Sequence, residues 1–402
     1  MENIPQSSHQ ITKIITGGWY PRTQLHMVEV YKFFTEGESD LELSKQKLQK
    51  FHKALNIAKV TKEPGGLEYV KAETINGLMI KYFEDGLYTI ETASDDIEDA
   101  QKKLDDYVHN AFEPAISYLF SLGAPIPKIL ANIETPHPPR TTVIGITSQN
   151  LKDFIVDKKK FGEVYDQSFT NEITVFRTNK CILIIALSTK KDLIEEIAYQ
   201  QIFFREFNDQ LKSYLNIHRV IWEKIAVIKN KEKIAAQEAD IFRDELDAYQ
   251  ETINFINYRL NQMKTFIGTR AKIAKSIQVD KYLSDLFQYE FETLLDTYEY
   301  IRELWQMTKD YVASAIQLIV EVKNQSTEQS IQILKLITIA YALVLIWVYI
   351  NEAPQFSTTG LLYYSLVIVL AWLINYLVNF ISRRQKHQLK FRKGGSVKEE
   401  SH

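Results

Sequence analysis

The sequence predicts an α+β cytosolic domain, a long helical stalk and a two-helix transmembrane hairpin at the C-terminus. The clearest observation is a pair of apolar runs, Ile333–Ile350 and Leu361–Ile381, whose only charged residue is Lys335. Each run is about 18 to 21 residues long, which lets a helix cross a ~30 Å hydrocarbon layer. Short β-prone runs separated by turn residues fill the first half of the chain, whereas helix-breaking residues nearly disappear from the second half.

Residues 1–66 are predicted to form an irregular and helical N-terminal region. Gly17, Gly18 and Pro21 indicate an irregular start. Apolar residues then recur at helical spacing between Leu41 and Val60, and the proline and glycines that follow Glu63 end this helix.

Residues 67–215 are predicted to form the α+β domain. Asn76-Gly77 and Asp85-Gly86 are turn pairs that favour tight hairpins, so a three-stranded meander is expected. A helix should begin after Ser94, with acidic residues in its first turn, and break near Pro114 on its way to about Ser121. The predicted strands are Leu67–Thr74, Leu78–Glu84, Leu87–Thr92, Thr142–Thr147, Ile173–Thr178 and Cys181–Leu187.

Residues 216–332 are predicted to form a helical stalk with coiled-coil character, because no proline lies between Arg140 and Ala353. Its last part carries an apolar seam with a repeat of 3.5 residues. Such a seam packs against helices of the same chain, against other subunits, or against both. A helix continuous from Leu283 to Ile350 would be ~100 Å long, and its membrane end requires other subunits to shield it. The seam residues are Phe287, Phe291, Leu294, Tyr298, Ile301, Trp305, Thr308, Val312, Ala315, Ile319 and Val322.

Transmembrane helices are predicted at residues 333–350 and 361–381, joined by an outer loop at residues 351–360. The tail, residues 382–402, is rich in arginine and lysine, whereas the outer loop has Glu352 and no basic residue. The positive-inside rule therefore places both termini in the cytoplasm of a multi-pass inner-membrane protein.

Composition argues against several other classes of protein. The net charge of −3 gives no reason to expect direct nucleic-acid binding. A single cysteine, Cys181, excludes an intrachain disulfide and a cysteine zinc site. The sequence has no glycine-rich phosphate loop, histidine pair with metal spacing or nucleophile elbow, so an enzyme is not expected.

The segment Gln332-Ile-Leu-Lys335-Leu-Ile-Thr338-Ile-Ala340 resembles the cytoplasmic start of the first membrane span in the CorA family of magnesium transporters. The order of elements, from cytosolic α+β domain through stalk and two spans to a basic end, is similar as well. This resemblance implies a homopentamer in which five first helices surround a pore and the second helices form an outer ring.

The Gly-Met-Asn signature that follows the first span of that family is absent, and Val348-Tyr-Ile-Asn-Glu-Ala-Pro354 occupies its place. Asn351 and Glu352 are the candidates for a cation-attracting ring at the outer mouth, although they are also ordinary loop residues. If the first span lines a pore, its lining is mostly apolar, as in a closed gate. The predicted pore-lining residues are Leu334, Thr338, Tyr341, Leu345 and Val348.

Three functions agree with these features. The first is a CorA-like pentameric ion channel or transporter for cations, with magnesium as the implied divalent cation, gated by its cytosolic domain. The second is a CorA-like membrane effector of a type III CRISPR antiviral system, opened by a nucleotide second messenger. The third is a non-conducting membrane scaffold. Two acidic groups, Asp95–Asp99 and Glu238–Asp247, resemble divalent-cation sensor sites but equally fit helix capping and a solvated helix face.

Overall fold

The computed structural model describes residues 9–20, 27–64, 66–120, 141–148, 150–151, 154–229 and 233–351, a few positions between 358 and 376, and residues 386–388. The chain divides into two compact units. The first unit comprises Met1–Asn216 and Phe255–Leu304, and the second comprises Ile217–Asn254 and Trp305–His402.

The first unit is built on a mixed sheet, which has nine strands within the described residues, in the order β2-β3-β4-β5-β1-β6-β9-β8-β7. Strands β6 and β9 pair in parallel, and the other neighbours pair antiparallel. The strands are β1 (His9–Trp19), β2 (Ile57–Glu63), β3 (Tyr69–Thr74), β4 (Met79–Phe83), β5 (Leu87–Thr92), β6 (Thr142–Thr147), β7 (Val164–Phe169), β8 (Ile173–Thr178) and β9 (Ile182–Leu187). An α+β fold was predicted, and the structure confirms it.

One face of this sheet packs against helices in a large apolar cluster. Alternate residues along the strands, such as Val70, Ile80, Ile90 and Ile14, are fully buried, as the two-residue period of a strand requires. They pack in one cluster with helices α1 (Met27–Glu36), α2 (Lys45–Leu55), α3 (Ile97–Tyr107) and α4 (Glu113–Leu119). Asp96 caps α3, and a π-helical turn, Val108–Phe112, separates α3 from α4 just before Pro114.

The N-terminal region differs from the prediction, because residues 1–66 are not a separate irregular segment. β1 is a central strand, paired with both β5 and β6, and Gly17 and Gly18 lie inside it. A side chain at Gly17 would come within 2.6 Å of the carbonyl oxygen of Tyr88, so glycine there permits close approach rather than a turn. The helix expected at 41–60 is shorter, and Ile57–Glu63 forms strand β2.

The meander predicted from the two turn pairs is confirmed. β3, β4 and β5 pair in sequence, with Gly77 and Gly86 at positive φ in the turns. The later strands are confirmed at β6, β8 and β9, whereas β7 was not predicted. Between β6 and β7 lies a short helix, α5 (Lys158–Phe161).

The opposite face of the sheet contacts the long helices through a buried ion pair. Arg270, on helix α7 (Ala236–Ser276), donates to the carboxylate of Asp85 in the β4–β5 turn at 2.6 Å and 3.0 Å. The two side chains are 2% and 0% exposed. The guanidinium lies over the rings of Phe83 and Phe203, and the indole of Trp19 donates to the Asp85 carbonyl at 2.8 Å. This two-pronged geometry fixes α7 against the turn.

Long helices follow the sheet, as predicted: α6 (Lys191–Lys229), α7 and α9 (Phe291–Asn351). A short helix, α8 (Asp280–Phe287), lies between α7 and α9 in the chain. A left-handed residue, Gln288, interrupts the helix that was expected to run unbroken from Leu283. All eleven residues of the predicted seam are buried, with at most 6% of any of them exposed. The seam therefore packs against helices of the same chain, and an additional role in packing against other subunits stays a prediction.

The second unit contains the C-terminal end of α6, the N-terminal part of α7 and most of α9. His218 and Thr308 share a hydrogen bond of 2.7 Å, and the imidazole packs edge-on against Trp305 at 5.3 Å. Burial lowers the pKa of His218. Further along, Lys323 and Asp240 form an ion pair at 2.6 Å. A short antiparallel pair joins β10 (Lys233–Ala235) to β11 (Lys386–Gln388).

The C-terminal part of α9 is apolar and uncovered. Among the described helices, α9 is the one that is long and apolar enough to cross a membrane, with a mean hydropathy of 1.9 in its most apolar window and no residue of that window buried. Nine large apolar side chains from Ile331 to Trp347 are between 38% and 70% exposed, and Ile333, Ile337 and Tyr341 are partly buried. Most of the second apolar run lies outside the described residues, as does Glu352.

The buried ion pair generates a prediction about stability. Asp85→Asn removes one charge and leaves the Arg270 guanidinium buried without its partner, so we expect the free energy of unfolding to fall by roughly 3–5 kcal/mol. Lys264→Met, on the same helix, breaks a largely exposed pair with Glu299 at 2.6 Å and should cost less than about 1 kcal/mol. Denaturant titration of both variants in detergent, followed by circular dichroism, checks this; equal losses would contradict it.

Candidate functional site

A polar cavity of about 470 Å³ lies on the face of the sheet opposite helices α1 to α4. It opens over strands β1 to β5, and its walls mix three lysines, two glutamates, an aromatic ring and a methionine. The lining residues are Thr12, Lys13, Glu63, Tyr69, Lys71, Gly77, Met79, Lys81, Glu91, Thr92 and Ala93. A volume of this size suits a small organic ligand.

Strand register brings the lysines together. Lys71 of β3 pairs directly with Lys81 of β4, which places their Cβ atoms about 5 Å apart on one face. Lys13 follows an irregularity in β1, where the register with β6 shifts between Ile11 and Lys13. Such bulges redirect side chains. Like charges directly opposite each other destabilise a sheet unless anions compensate them.

Glu91 is the buried anion that compensates two of these lysines. Its carboxylate lies 3.2 Å from the ammonium of Lys13 and 3.3 Å from that of Lys81. It also accepts hydrogen bonds from the hydroxyls of Tyr199, at 2.6 Å, and Thr89, at 3.1 Å. Lys81 in turn donates to the Tyr199 hydroxyl. Glu91 therefore joins strands β1, β4 and β5 to helix α6, which carries Tyr199.

A second carboxylate reaches the same lysines from α6. Glu195 lies 2.7 Å from Lys13 and 3.9 Å from Lys81. The side chain of Glu195 is 31% exposed, whereas that of Glu91 is 3% exposed. Solvent, or a solute, therefore has access to the Glu195 carboxylate but not to that of Glu91.

The local electrostatics keep this cluster charged. Burial alone would raise the pKa of Glu91, but the charges of Lys81 and Lys13 and the Tyr199 hydrogen bond outweigh it and lower that pKa. Burial opposes the charge of Lys13, yet Glu91 and Glu195 raise the pKa of Lys13. Burial, followed by the charge of Glu91, raises the pKa of Tyr199, so the phenol remains a hydrogen-bond donor. Glu91 and Lys13 are therefore both charged at neutral pH.

Lys71 is the lysine of the cavity with the weakest compensation. Its ammonium lies 3.6 Å from Glu73, and both side chains are about one-third exposed or more. An exposed pair at this separation contributes little. Lys71 thus presents its charge to the cavity while Lys13 and Lys81 complete the positive wall.

The cavity was not predicted from the sequence. Alternating charged residues in the meander, such as Lys71 and Glu73, were available as a signal, but alternation alone does not distinguish a ligand site from a solvated face. Glu195 and Tyr199 stand four residues apart on one helix face. Their proximity to Lys13 depends on long-range packing that no local pattern contains.

The predicted pore residues belong to the second unit, where they fall on the uncovered end of α9. Leu334 and Leu345 are exposed, Tyr341 is partly buried, and the Thr338 hydroxyl donates to the Leu334 carbonyl at 2.9 Å. Asn351 is the last residue of α9. The side chain of Val348 and all of Glu352 fall outside what the structure describes. The pore role of these residues stays a prediction.

The two acidic groups are engaged in ordinary contacts. Asp96 accepts from the Asp99 amide at 3.1 Å as the α3 cap, and Asp240 pairs with Lys323. In the part of the chain that the structure describes, no group of three histidine, cysteine, aspartate or glutamate side chains is arranged to hold a metal ion.

The lowered pKa of Glu91 generates a prediction about pH. A carboxylate whose pKa is depressed by folding stabilises the protein above its unfolded pKa, near 4.5, and loses that contribution as the pH falls through its folded pKa. Glu91→Gln should therefore cost about 3 kcal/mol at pH 7 and progressively less as the pH is lowered from 4.5 towards 3. Glu68→Gln, which removes an exposed partner of Lys62, is the control. Melting temperatures across this pH range test it; a gap between wild type and Glu91→Gln that stays constant with pH would refute it.

Comparison with known proteins adds no relative to this picture: the chain matches no model of a known protein family, and no curated protein sequence matches it. Function must therefore be argued from the apolar end of α9 and from the charged cavity on the sheet.

Proposed function

We propose that the protein is a CorA-like membrane ion channel or transporter for cations, a homopentamer gated by its cytosolic α+β domain. The observation that carries this proposal is helix α9, which starts at Phe291 and ends in an uncovered apolar stretch at Asn351. Apolar surface on this scale is removed from water by lipid or by other subunits. A pore lined by the first span accounts for both kinds of contact.

The pairing of β10 with β11 supports a hairpin in the membrane. Asp240, near the start of α7, contacts Lys323, and the β10 strand just before it pairs with residues 386–388. From Lys323 to Asn351 the helix rises ~40 Å. Residues 386–388 pair beside Asp240, whereas Asn351 lies ~40 Å further along α9. The chain between Asn351 and Lys386 must therefore run back over this distance, which suits one antiparallel span.

The described residues of the second apolar run are also consistent with a span. Ser365, Ile368, Val369, Trp372, Leu373 and Tyr376 are helical. The rings of Trp372 and Tyr376 stack at 6.0 Å, one helical turn apart. The apolar members of this set are exposed, as are those of α9.

A second candidate keeps the pore and opens it with a nucleotide messenger, as in a type III CRISPR effector. The observation that favours it is the cavity of about 470 Å³, which three lysines line. A gate that responds to magnesium alone would not require a lysine-lined cavity. A non-conducting scaffold is the third candidate, and it predicts no ion flux.

The hairpin makes a prediction about topology. In a Cys181→Ser background, a cysteine introduced at Thr358, in the outer loop, should react with a membrane-impermeant maleimide on intact cells. A cysteine introduced at Ser396, in the basic tail, should react only after the membrane is permeabilised, because the positive-inside rule keeps that tail in the cytoplasm. Labelling of both positions from the outside would refute the hairpin.

The pore makes a prediction about flux. Full-length protein in liposomes should pass cations, and Glu352→Gln should lower the preference for cations over anions because it removes a ring of five charges at the outer mouth. Glu328→Gln, which also changes one charge per subunit but on the other side of the first span, is the matched control and should leave selectivity unchanged. Flux assays with magnesium, or with a nucleotide, separate the first two candidates. Absence of ion flux with both magnesium and a nucleotide would favour the non-conducting scaffold.

A further inference from the structure

The cavity on the sheet contains more positive charge than its buried partner neutralises. Three lysines face it, and Glu91 is shared between two of them. Two further carboxylates lie nearby, that of Glu63 in the cavity lining and that of Glu195 on helix α6, and Glu195 remains accessible to solvent. Lys71 has only the 3.6 Å contact with Glu73. An anionic solute that enters the cavity therefore meets the least competition from carboxylates at the Lys71 ammonium.

We infer that this cavity binds an organic phosphate through Lys13, Lys71 and Lys81, and that the ligand displaces Glu195 from the lysines. Lysine ammonium groups suit a phosphate because they act as point charges that donate in several directions. Tyr69 and Met79 supply an apolar wall for the organic part of the ligand. Pockets that combine a few polar groups with apolar walls are typical ligand sites.

The contacts and exposure of the two carboxylates indicate which one the ligand displaces. Glu91 is held by two ammonium groups and two hydroxyls in a buried position, so its displacement would leave a buried charge unpaired. Glu195 is held by Lys13 and, at 3.9 Å, by Lys81, and its carboxylate can return to water. A phosphate therefore replaces Glu195 at much lower cost.

Displacement of Glu195 would transmit ligand binding to α6. Glu195 connects α6 to β1 by its ion pair with Lys13, and Tyr199 connects α6 to β5 by its hydrogen bond to Glu91. Ligand binding would break the contacts of Glu195 and keep that of Tyr199, so α6 would have two states that differ in the ion pairs of Glu195 with Lys13 and Lys81. The use of these states for gating rests on the proposed channel function, whereas the binding site does not.

Binding is measured first, by calorimetry on full-length protein in detergent, with ATP and inorganic pyrophosphate as probes. Lys71→Met should weaken binding about tenfold, the loss expected for one charge-assisted contact. Glu195→Gln should tighten binding, because it removes the competing anion. Lys62→Met is the matched control, since Lys62 lies in the neighbouring strand, pairs with Glu68 at 2.7 Å and does not line the cavity.

The outcomes separate a site from a merely structural cluster. Tighter binding by Glu195→Gln supports the inference, because loss of a structural contact alone would weaken binding. Absence of binding by both probes at 1 mM, or equal affinities of Lys71→Met and Lys62→Met, would overturn it. Circular dichroism of each variant establishes that it is folded. Binding without any effect on liposome flux would overturn the gating role and leave the site intact.

Discussion

The ion pair between Arg270 and Asp85 is the contact on which the attachment of the long helix α7 to the sheet depends. A buried arginine is tolerated because its fork matches the carboxylate at 2.6 Å and 3.0 Å and its planar faces lie on Phe83 and Phe203. Asp85 sits in a turn that requires positive φ at Gly86. Helix attachment, turn geometry and the last meander strand are thus linked at one point.

The charged cavity differs from this ion pair in how far solvent reaches its charged groups, although both belong to the first unit. Around Asp85 each polar group has a fixed partner and aromatic rings exclude water. Around Lys13 and Lys81 one carboxylate is buried and the other is open to solvent, with a cavity beside them. Charge pairs that only stabilise a fold do not need an accessible partner. The asymmetry between Glu91 and Glu195 is what singles out the second cluster as a site.

Local sequence patterns predicted much of the fold because the relevant forces were local. The two glycine-containing turn pairs determine the meander, and the heptad spacing determines which face of α9 is buried. Strand β1 was missed because Gly17 and Gly18 usually mark a loop, whereas here the glycines let β1 lie close to Tyr88. The cavity was missed because it combines residues from β1, β3, β4, β5 and α6, whose proximity arises only from the strand order.

Burial of the heptad seam constrains how subunits could assemble. A seam that already packs within its own chain is no longer available as a coiled-coil interface between subunits. The contacts of an oligomer must then come from another surface, and the apolar end of α9 from Ile331 onward is uncovered. Lys335 lies near the start of that end, and in the proposed membrane arrangement its ammonium group would reach the water boundary. Assembly and membrane insertion would therefore use the same stretch of helix, which explains why it carries apolar residues on all sides rather than along one seam.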